Sequence, residues 1–449
     1  MKQTQDFTQG RIFAPLVKFA LPVLLALFLQ TTYGAVDLLV VGWFGTPADV
    51  SAVSTGSQIM HTITVVITGL AMGLTVLVGR KIGEGEKREA GKIIGSGFCL
   101  FAVVAVVVSV ATVFLASPLS NVMHAPEQAF SQTVSYVVIC GAGTVFIVAY
   151  NLVGSIFRGI GDSKMPLITV AIACGLNIVG DLVLCGGFGL GTVGAAIATV
   201  FAQAVSVFLS VLIIKKRGLP FVFRRKDIRP DRKYISRMLV LGAPIALQDL
   251  LVSISFLVIT AIINEIGLIE SAGLGVAQKM CGFLMLVSSS YMQSMSAFVA
   301  QNIGAQKPER ARKALLCGIV SSLVVGVVIW YCTFFHGEIL AGIFSKDAPV
   351  ISAAADYMKA YAIDCLFTSF LFCFIGYFNG CGNTVFVMIQ GLIGAFGVRV
   401  PISWIVSKYT TRLFHIGLAT PASTVIQIIL CGIFLTITVK KYKRSKTQI

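Results

Sequence analysis

The chain has 449 residues, of which 56% are hydrophobic and only 12% charged, and its mean hydropathy is +0.90. That balance excludes an ordinary soluble domain with a polar surface and leaves lipid as the main solvent. The net charge of +16 raises nucleic acid as a partner, so the placement of the basic residues decides its meaning.

A helix needs about 20 mostly apolar residues to cross a bilayer, and twelve such stretches follow one another along the chain. The first, near 14–42, contains Pro22 and Asp37. The polar residues before it lack the apolar core and small-residue cleavage site of a secretory signal, so this helix is expected to be its own insertion signal, with nothing removed. The second, near 51–79, carries His61 at mid-span, where a hydrogen-bonded core histidine is expected rather than a proton shuttle. Stretches near 92–116 and 132–156 lead to a fifth, near 165–187, with Asn177 and Asp181, and a sixth, near 191–214, with Thr199. Residues 215–236 form a basic linker containing Pro220 and Pro230, read most simply as a solvated connector. Beyond it lie stretches near 237–263 with Asp249, 271–299, 314–335, 350–376 with Asp364, 384–407 with Arg399, and 415–439, and a basic tail at 441–449.

The basic residues gather in alternate loops: around Arg11 and Lys18, from Arg80 to Lys92, at Arg158 and Lys164, in the linker, from Lys307 to Lys313, and from Lys440 onward. The positive-inside rule then puts both termini in the cytoplasm of a cell (inner, plasma) membrane, and nucleic-acid binding is not needed to explain the charge. The eleven cysteines show no CxxC pairing and lie mostly within spans, where packing is expected and neither a disulfide nor a metal site.

Two segments of the chain align with themselves without a gap at an offset of 221. KIGEGEKREAGK from Lys81 meets NIGAQKPERARK from Asn302, and FRGIGDS from Phe157 meets FNGCGNT from Phe378. Pro22 and Leu25 match Pro244 and Leu247, and Ala198 and Gln203 match Ala422 and Gln427. Each copy holds six spans, an even number, so both enter from the same side and the repeat is parallel. The expectation is an all-α integral membrane protein with an N-terminal six-helix lobe over 1–214, the linker over 215–236 and a C-terminal six-helix lobe over 237–440.

An acid at the centre of a membrane helix costs about 2.5–3.5 kcal/mol, so acids there call for an explanation. Asp37 and Asp181 both fall late in outward-going helices and are placed to share one pocket. Asn177 lies four residues before Asp181, on the same helical face, and Thr199 on the next span can add a hydroxyl. Such a nest either tunes a carboxylate to titrate near working pH or coordinates Na⁺ through its oxygens. In the second half Asp249, Asp364 and Arg399 are candidates for substrate or ion contact, or for a structural Asp364–Arg399 ion pair. The second-half counterparts of Asp37, Asn177 and Asp181 at the matching offset are Val258 or Ile259, Val398 and Ile402, all apolar, with Ser423 opposite Thr199. No HExxH, paired-His cluster, GxSxG or P-loop is present to support a membrane enzyme or an ATP-driven pump.

The chain resembles the multidrug and toxic compound extrusion (MATE) family of cation-coupled antiporters, of the prokaryotic DinF-like type. The resemblance rests on Pro22 followed fifteen residues later by Asp37 in AVDLLVVGWFG, on GLAMGLTVLVGRKIGEGEKREAGK, and on the long segment from FRGIGDS through VFAQ at Gln203. VAQNIGAQKPERARKAL and GYFNGCGNT fit the pattern in the second half. It implies twelve helices in two lobes around a V-shaped central cavity. It also implies export of amphipathic, often cationic organic compounds against inward flow of H⁺ or Na⁺, with no other cofactor. By the same resemblance Asp37, Asn177, Asp181 and Thr199 match cation-coupling positions, with Na⁺ at Asp37 and Asp181 as one option, and Pro22 is a hinge in the first helix. The family's acid in the tenth span is Thr368 here, one turn from Asp364, and Asp249 is displaced by three residues from an acid some members carry. The expected partners are small amphipathic molecules and membrane lipid, with the chain a monomer. Related lipid-linked oligosaccharide flippases are the nearest alternative.

Overall fold

Long apolar runs between polar caps make long helices, and the computed structural model of the chain is helical almost throughout. It describes residues 6–218 and 223–447, with side chains described except at 217, 225 and 443–447. The spanning helices are α1 (Phe13–Phe44), α2 (Pro47–Gly83), α3 (Lys87–Phe114), α4 (Glu127–Ala142 with Thr144–Ile160), α5 (Lys164–Gly187) and α6 (Gly191–Lys216). The second set is α7 (Arg232–Asn264), α8 (Leu268–Gly304), α9 (Pro308–Ala341), α10 (Ala348–Cys381), α11 (Thr384–Ser407) and α12 (Leu413–Tyr442). Eleven are long and apolar enough to cross a membrane singly, and α4, bent by 48° at Gly143, makes the twelfth. At that bend Val200 of α6 packs so closely that a Cβ on Gly143 would fall 2.4 Å from its methyl.

Burial follows the logic of lipid. Val103, Val107 and Val110 on α3 and Leu316, Val320, Val324 and Val328 on α9 are exposed in stripes, the latter at four-residue spacing. Small polar residues such as Ser155, Ser206, Ser210, Ser294, Ser296 and Ser322 are buried inside, and Ser155, Ser210 and Ser296 donate to backbone carbonyls one turn back. The chain is a multi-pass membrane protein, and all eleven cysteines are free.

The self-matching segments prove to be helix stops. Gly161 and Gly382 both adopt the left-handed conformation (φ +91° and +84°) that ends α4 and α10. In each, the next amide turns back to the carbonyl of the matching phenylalanine, Asp162 to Phe157 and Asn383 to Phe378, at 2.9 Å. Gly85 and Gln306, also 221 apart, both take positive φ after α2 and α8. At this second stop only the first copy uses glycine, the residue type that adopts positive φ without strain.

Packing divides the chain into two compact units, Met1–Ala246 with Ala300–Pro308, and Leu247–Val299 with Glu309–Ile449. Within the first, the ends of α2 and α8 cross backbone to backbone. A Cβ on Gly83 would lie 1.9 Å from the Gln301 carbonyl oxygen, and one on Gly304 would lie 2.0 Å from that of Arg80. Gln301 also donates its amide to the Gly159 carbonyl at 2.9 Å.

The described part of the linker is not the solvated connector expected. A 3₁₀ turn, Arg225–Asp227, buries the Asp227 carboxylate, which receives both Nη atoms of Arg88 on α3 at 2.8 Å. Tyr234 donates to Glu89 at 2.5 Å, and Ser96 donates to the Arg229 carbonyl at 3.1 Å. Gly95 admits the linker so closely that a Cβ there would meet the Asp227 carbonyl oxygen at 1.9 Å. Burial pushes the Asp227 carboxyl up, but the Arg224 N–H and the Arg88 guanidinium outweigh it and hold the group below the usual carboxylate range. Pro220 lies outside the described residues.

Candidate functional site

Three helices of the first unit place four polar side chains together. Asp37 faces inward late in α1 and is 3% exposed. Asn177 and Asp181, one turn apart on α5, are buried beside it, and Thr199 comes from α6. Thr199 Oγ1 donates to Asp37 Oδ2 at 3.1 Å and accepts the Asn177 amide at 3.4 Å. The Asp37 and Asp181 carboxyls are neighbours that interact electrostatically. Asp181 is the last residue of regular α-helix before a π-helical turn, Leu182–Gly187, a local widening that recurs at functional sites.

The nest is short of donors. Asp37 Oδ1, Asn177 Oδ1 and both Asp181 oxygens are buried with no donor, and among the described residues no basic side chain acts on either carboxylate. Two facing carboxyls cannot both be ionised and unpaired in such a setting without large cost. A proton shared between them, or a hard cation held by the carboxylate, amide and hydroxyl oxygens, satisfies the unpartnered atoms.

Sequence reasoning missed the layer behind the nest. Tyr33 lies one turn before Asp37, and Gln203, one turn after Thr199, donates to the Tyr33 hydroxyl at 3.1 Å. The four-residue spacings on α1 and α6 were the signal that would have found them. Pro22 sits within α1, which runs unbroken past it to Phe44. His61 corrects an expectation: it is exposed on α2 and makes no hydrogen bond among the described residues, whereas a bonded core histidine was expected.

In the second unit the three candidate charges do not gather into one cluster. Asp249 is half-buried on α7, with no hydrogen bond or ion pair to the other two. Asp364 is buried on α10 beside Thr424 of α12. Arg399 of α11 donates Nη1 to Ser255 at 3.2 Å and lies over the Phe256 ring, 4.4 Å from its centroid. The Asp364–Arg399 ion pair considered from sequence is not formed: no ion pair within 4.0 Å joins them.

Comparison with known proteins places this geometry. The MatE family model matches residues 22–183 and again 244–405. Over 95% of the chain and 94% of its own length, the probable multidrug resistance protein YoeA of Bacillus subtilis is 23% identical. A protein of Shewanella oneidensis named as a FAD transporter is 27% identical over 80% of each chain. Among solved structures, an outward-facing multidrug resistance transporter of the MATE family superposes with a TM-score of 0.92 at 20% identity, covering 99% of each chain.

The two family matches also give a second offset for the repeat. The second lies 222 residues beyond the first at both ends, and counted by that offset Asn177 falls opposite Arg399 and Asp181 opposite Ser403, one residue on from Val398 and Ile402. The extra residue is supplied by a π-helical turn, Ile393–Arg399, in α11, since such a turn accommodates one residue more than α-helix does. With a family model covering both repeats and twelve spanning helices of the matching fold, the chain belongs to the MATE family and is a membrane transporter, not an enzyme.

Proposed function

We propose that the chain is a secondary antiporter that exports amphipathic, cationic organic compounds in exchange for H⁺ or Na⁺ bound at Asp37 and Asp181. One observation carries this reading: two buried carboxyls face each other in the first unit with three unpartnered oxygens and no basic neighbour. Asn177 and Thr199 hold the acids in place and lend oxygens to a bound cation. Neutralising the pair changes which conformation is favoured, and a ligand drives transport only through its different affinity for the two states. Each elementary charge crossing the membrane adds about 2.3 kcal/mol per 100 mV. Alternate basic loops support cytoplasmic termini and residence in the cell membrane, with the monomer as working unit.

Pro22 removes one backbone hydrogen bond from α1, about 22 Å along the helix from Asp37 at 1.5 Å per residue. It serves in this reading as the hinge that answers the state of that acid. Pro22→Ala is expected to retain cation binding and lose coupled transport; intact coupled transport in this variant counts against the hinge.

Efflux of a fluorescent organic cation from vesicles, with H⁺ and Na⁺ gradients imposed separately, tests the function. Gradient-dependent efflux supports the reading and identifies the ion. The relative named as a FAD transporter makes an anionic dinucleotide the comparison substrate, and a lipid-linked oligosaccharide is the third arm. Transport of either in place of the cation rejects the substrate class while leaving the coupling site in question separately testable.

A further inference from the structure

The second unit contains the repeat-related counterpart of the Asp37 site, and a guanidinium stands in it. Arg399 holds the position of Asn177, at the end of the π-turn in α11. It is 6% exposed, bonded to Ser255 and stacked on Phe256. Those two residues lie on α7 within about one turn of Ile259, the counterpart of Asp37. Ile259 is apolar, and the acid comes instead from α10 as Asp364, 2% exposed and beside Thr424. Thr424 adjoins Ser423, the counterpart of Thr199. Of the counterparts of the nest helices, α11 carries Arg399, α7 supplies its contacts at Ser255 and Phe256, and α12 carries Thr424 beside Asp364.

The two interiors differ in how charge is balanced. The first holds two acids and no base, so it needs a cation from outside. Around the counterpart position the second sets one acid, Asp364, and one base, Arg399, with the half-buried Asp249 of α7 bonded to neither. The separation of Asp364 and Arg399 exceeds ion-pair distance, and Asp364 Oδ1 and Arg399 Nε have no hydrogen-bond partner. At such a distance the attraction still acts through a low-dielectric interior. A guanidinium remains charged throughout and cannot dissociate from the chain.

We propose that Arg399 is a tethered cation: it fills, in the second repeat, the place that an exchangeable cation takes in the first, so each chain carries one exchangeable site rather than two. Asp364 is then its charge partner and not a second coupling acid. The inference rests on the reading of Asp37 and Asp181 given above, and its test separates the two.

Dicyclohexylcarbodiimide modifies protonated carboxyls in apolar settings. The carboxyl proton passes to a carbodiimide nitrogen, the carboxyl oxygen adds to the central carbon, and the adduct rearranges to a stable N-acylurea with all atoms retained. The full-length protein in lipid nanodiscs is treated with the reagent in Na⁺-free buffer, so that a proton is the cation available to the carboxyls, and modification is located by peptide mass spectrometry. In the natural protein Asp37 or Asp181 is expected to react and Asp364 to remain unmodified. Arg399→Met should raise the rate at Asp364 at least about tenfold, the change in neutral fraction given by 1.4 kcal/mol of lost charge interaction. Arg399→Lys should keep it at the natural level. Ready modification of Asp364 in the natural protein overturns the proposal, and that comparison stands even if Arg399→Met fails to fold. An unchanged rate in a monodisperse Arg399→Met protein overturns it as well. If Asp364 behaves as expected but neither Asp37 nor Asp181 reacts, the exchange-site reading fails and the tethered cation survives.

Discussion

Thr199 donates its hydroxyl to Asp37 at 3.1 Å and so ties α6 to the acid of α1. Hydrogen bonds to charged groups contribute about 1.5–3 kcal/mol, which is on the order of tenfold or more in affinity. Thr199→Val, which keeps the shape and removes the donor, is expected to raise the cation concentration needed for half-maximal efflux by about tenfold. Thr199→Ser should restore most of the loss. Equal responses of the two variants would show that the hydroxyl has no part in the site.

The crossing of α2 with α8 leaves no room for a methyl group. Gly83→Ala would set a Cβ 1.9 Å from the Gln301 carbonyl oxygen, a backbone atom that cannot rotate away. Overpacking of this kind costs about 1–3 kcal/mol, so the thermal midpoint should fall in detergent unfolding assays. Gly34→Ala is the control: no atom lies within 4 Å of the added methyl, and alanine favours helix by about 1 kcal/mol. Its midpoint should hold or rise.

Arg88 and Asp227 clip the linker to α3 with paired bonds of 2.8 Å, one partner half-exposed and the other buried. Arg88→Ala or Asp227→Asn is expected to remove about 1–2 kcal/mol from the local stability of this clasp and to open residues 223–237 to protease. Because the Asp227 carboxyl is held below its ordinary value, its contribution is complete above about pH 4 and is lost as pH falls through the lowered value. Proteolysis of the natural protein should therefore be unchanged between about pH 5 and pH 8 and rise only in stronger acid. A change near neutrality would assign the clasp to other groups.

Much of this was legible because membrane helices announce themselves locally. Spans follow from runs of apolar residues, and Asn177 with Asp181 from a single four-residue interval. The repeat was visible because left-handed stops at Gly161 and Gly382 constrain the residues around them. What was hidden depends on geometry without a local signature. A π-turn adds a residue to α11 without changing its composition, so Arg399 looked unrelated to Asn177 and its neighbour Val398 took its place. Arg88 and Asp227 are 139 residues apart, and nothing in a basic, proline-containing linker marks one acid as buried. The exposure of His61 depends on which way one face of α2 turns, which span-wide hydropathy does not resolve.

The central claim is that the acids of the first unit are where a cation gradient is converted into export. Efflux of an organic cation from vesicles is measured for the natural protein, Asp37→Asn and Asp181→Asn, under whichever of the H⁺ or Na⁺ gradients drives it. The account predicts gradient-driven efflux in the natural protein and its loss in Asp37→Asn, with substrate binding retained. Gradient-driven efflux by Asp37→Asn at the natural rate would contradict it.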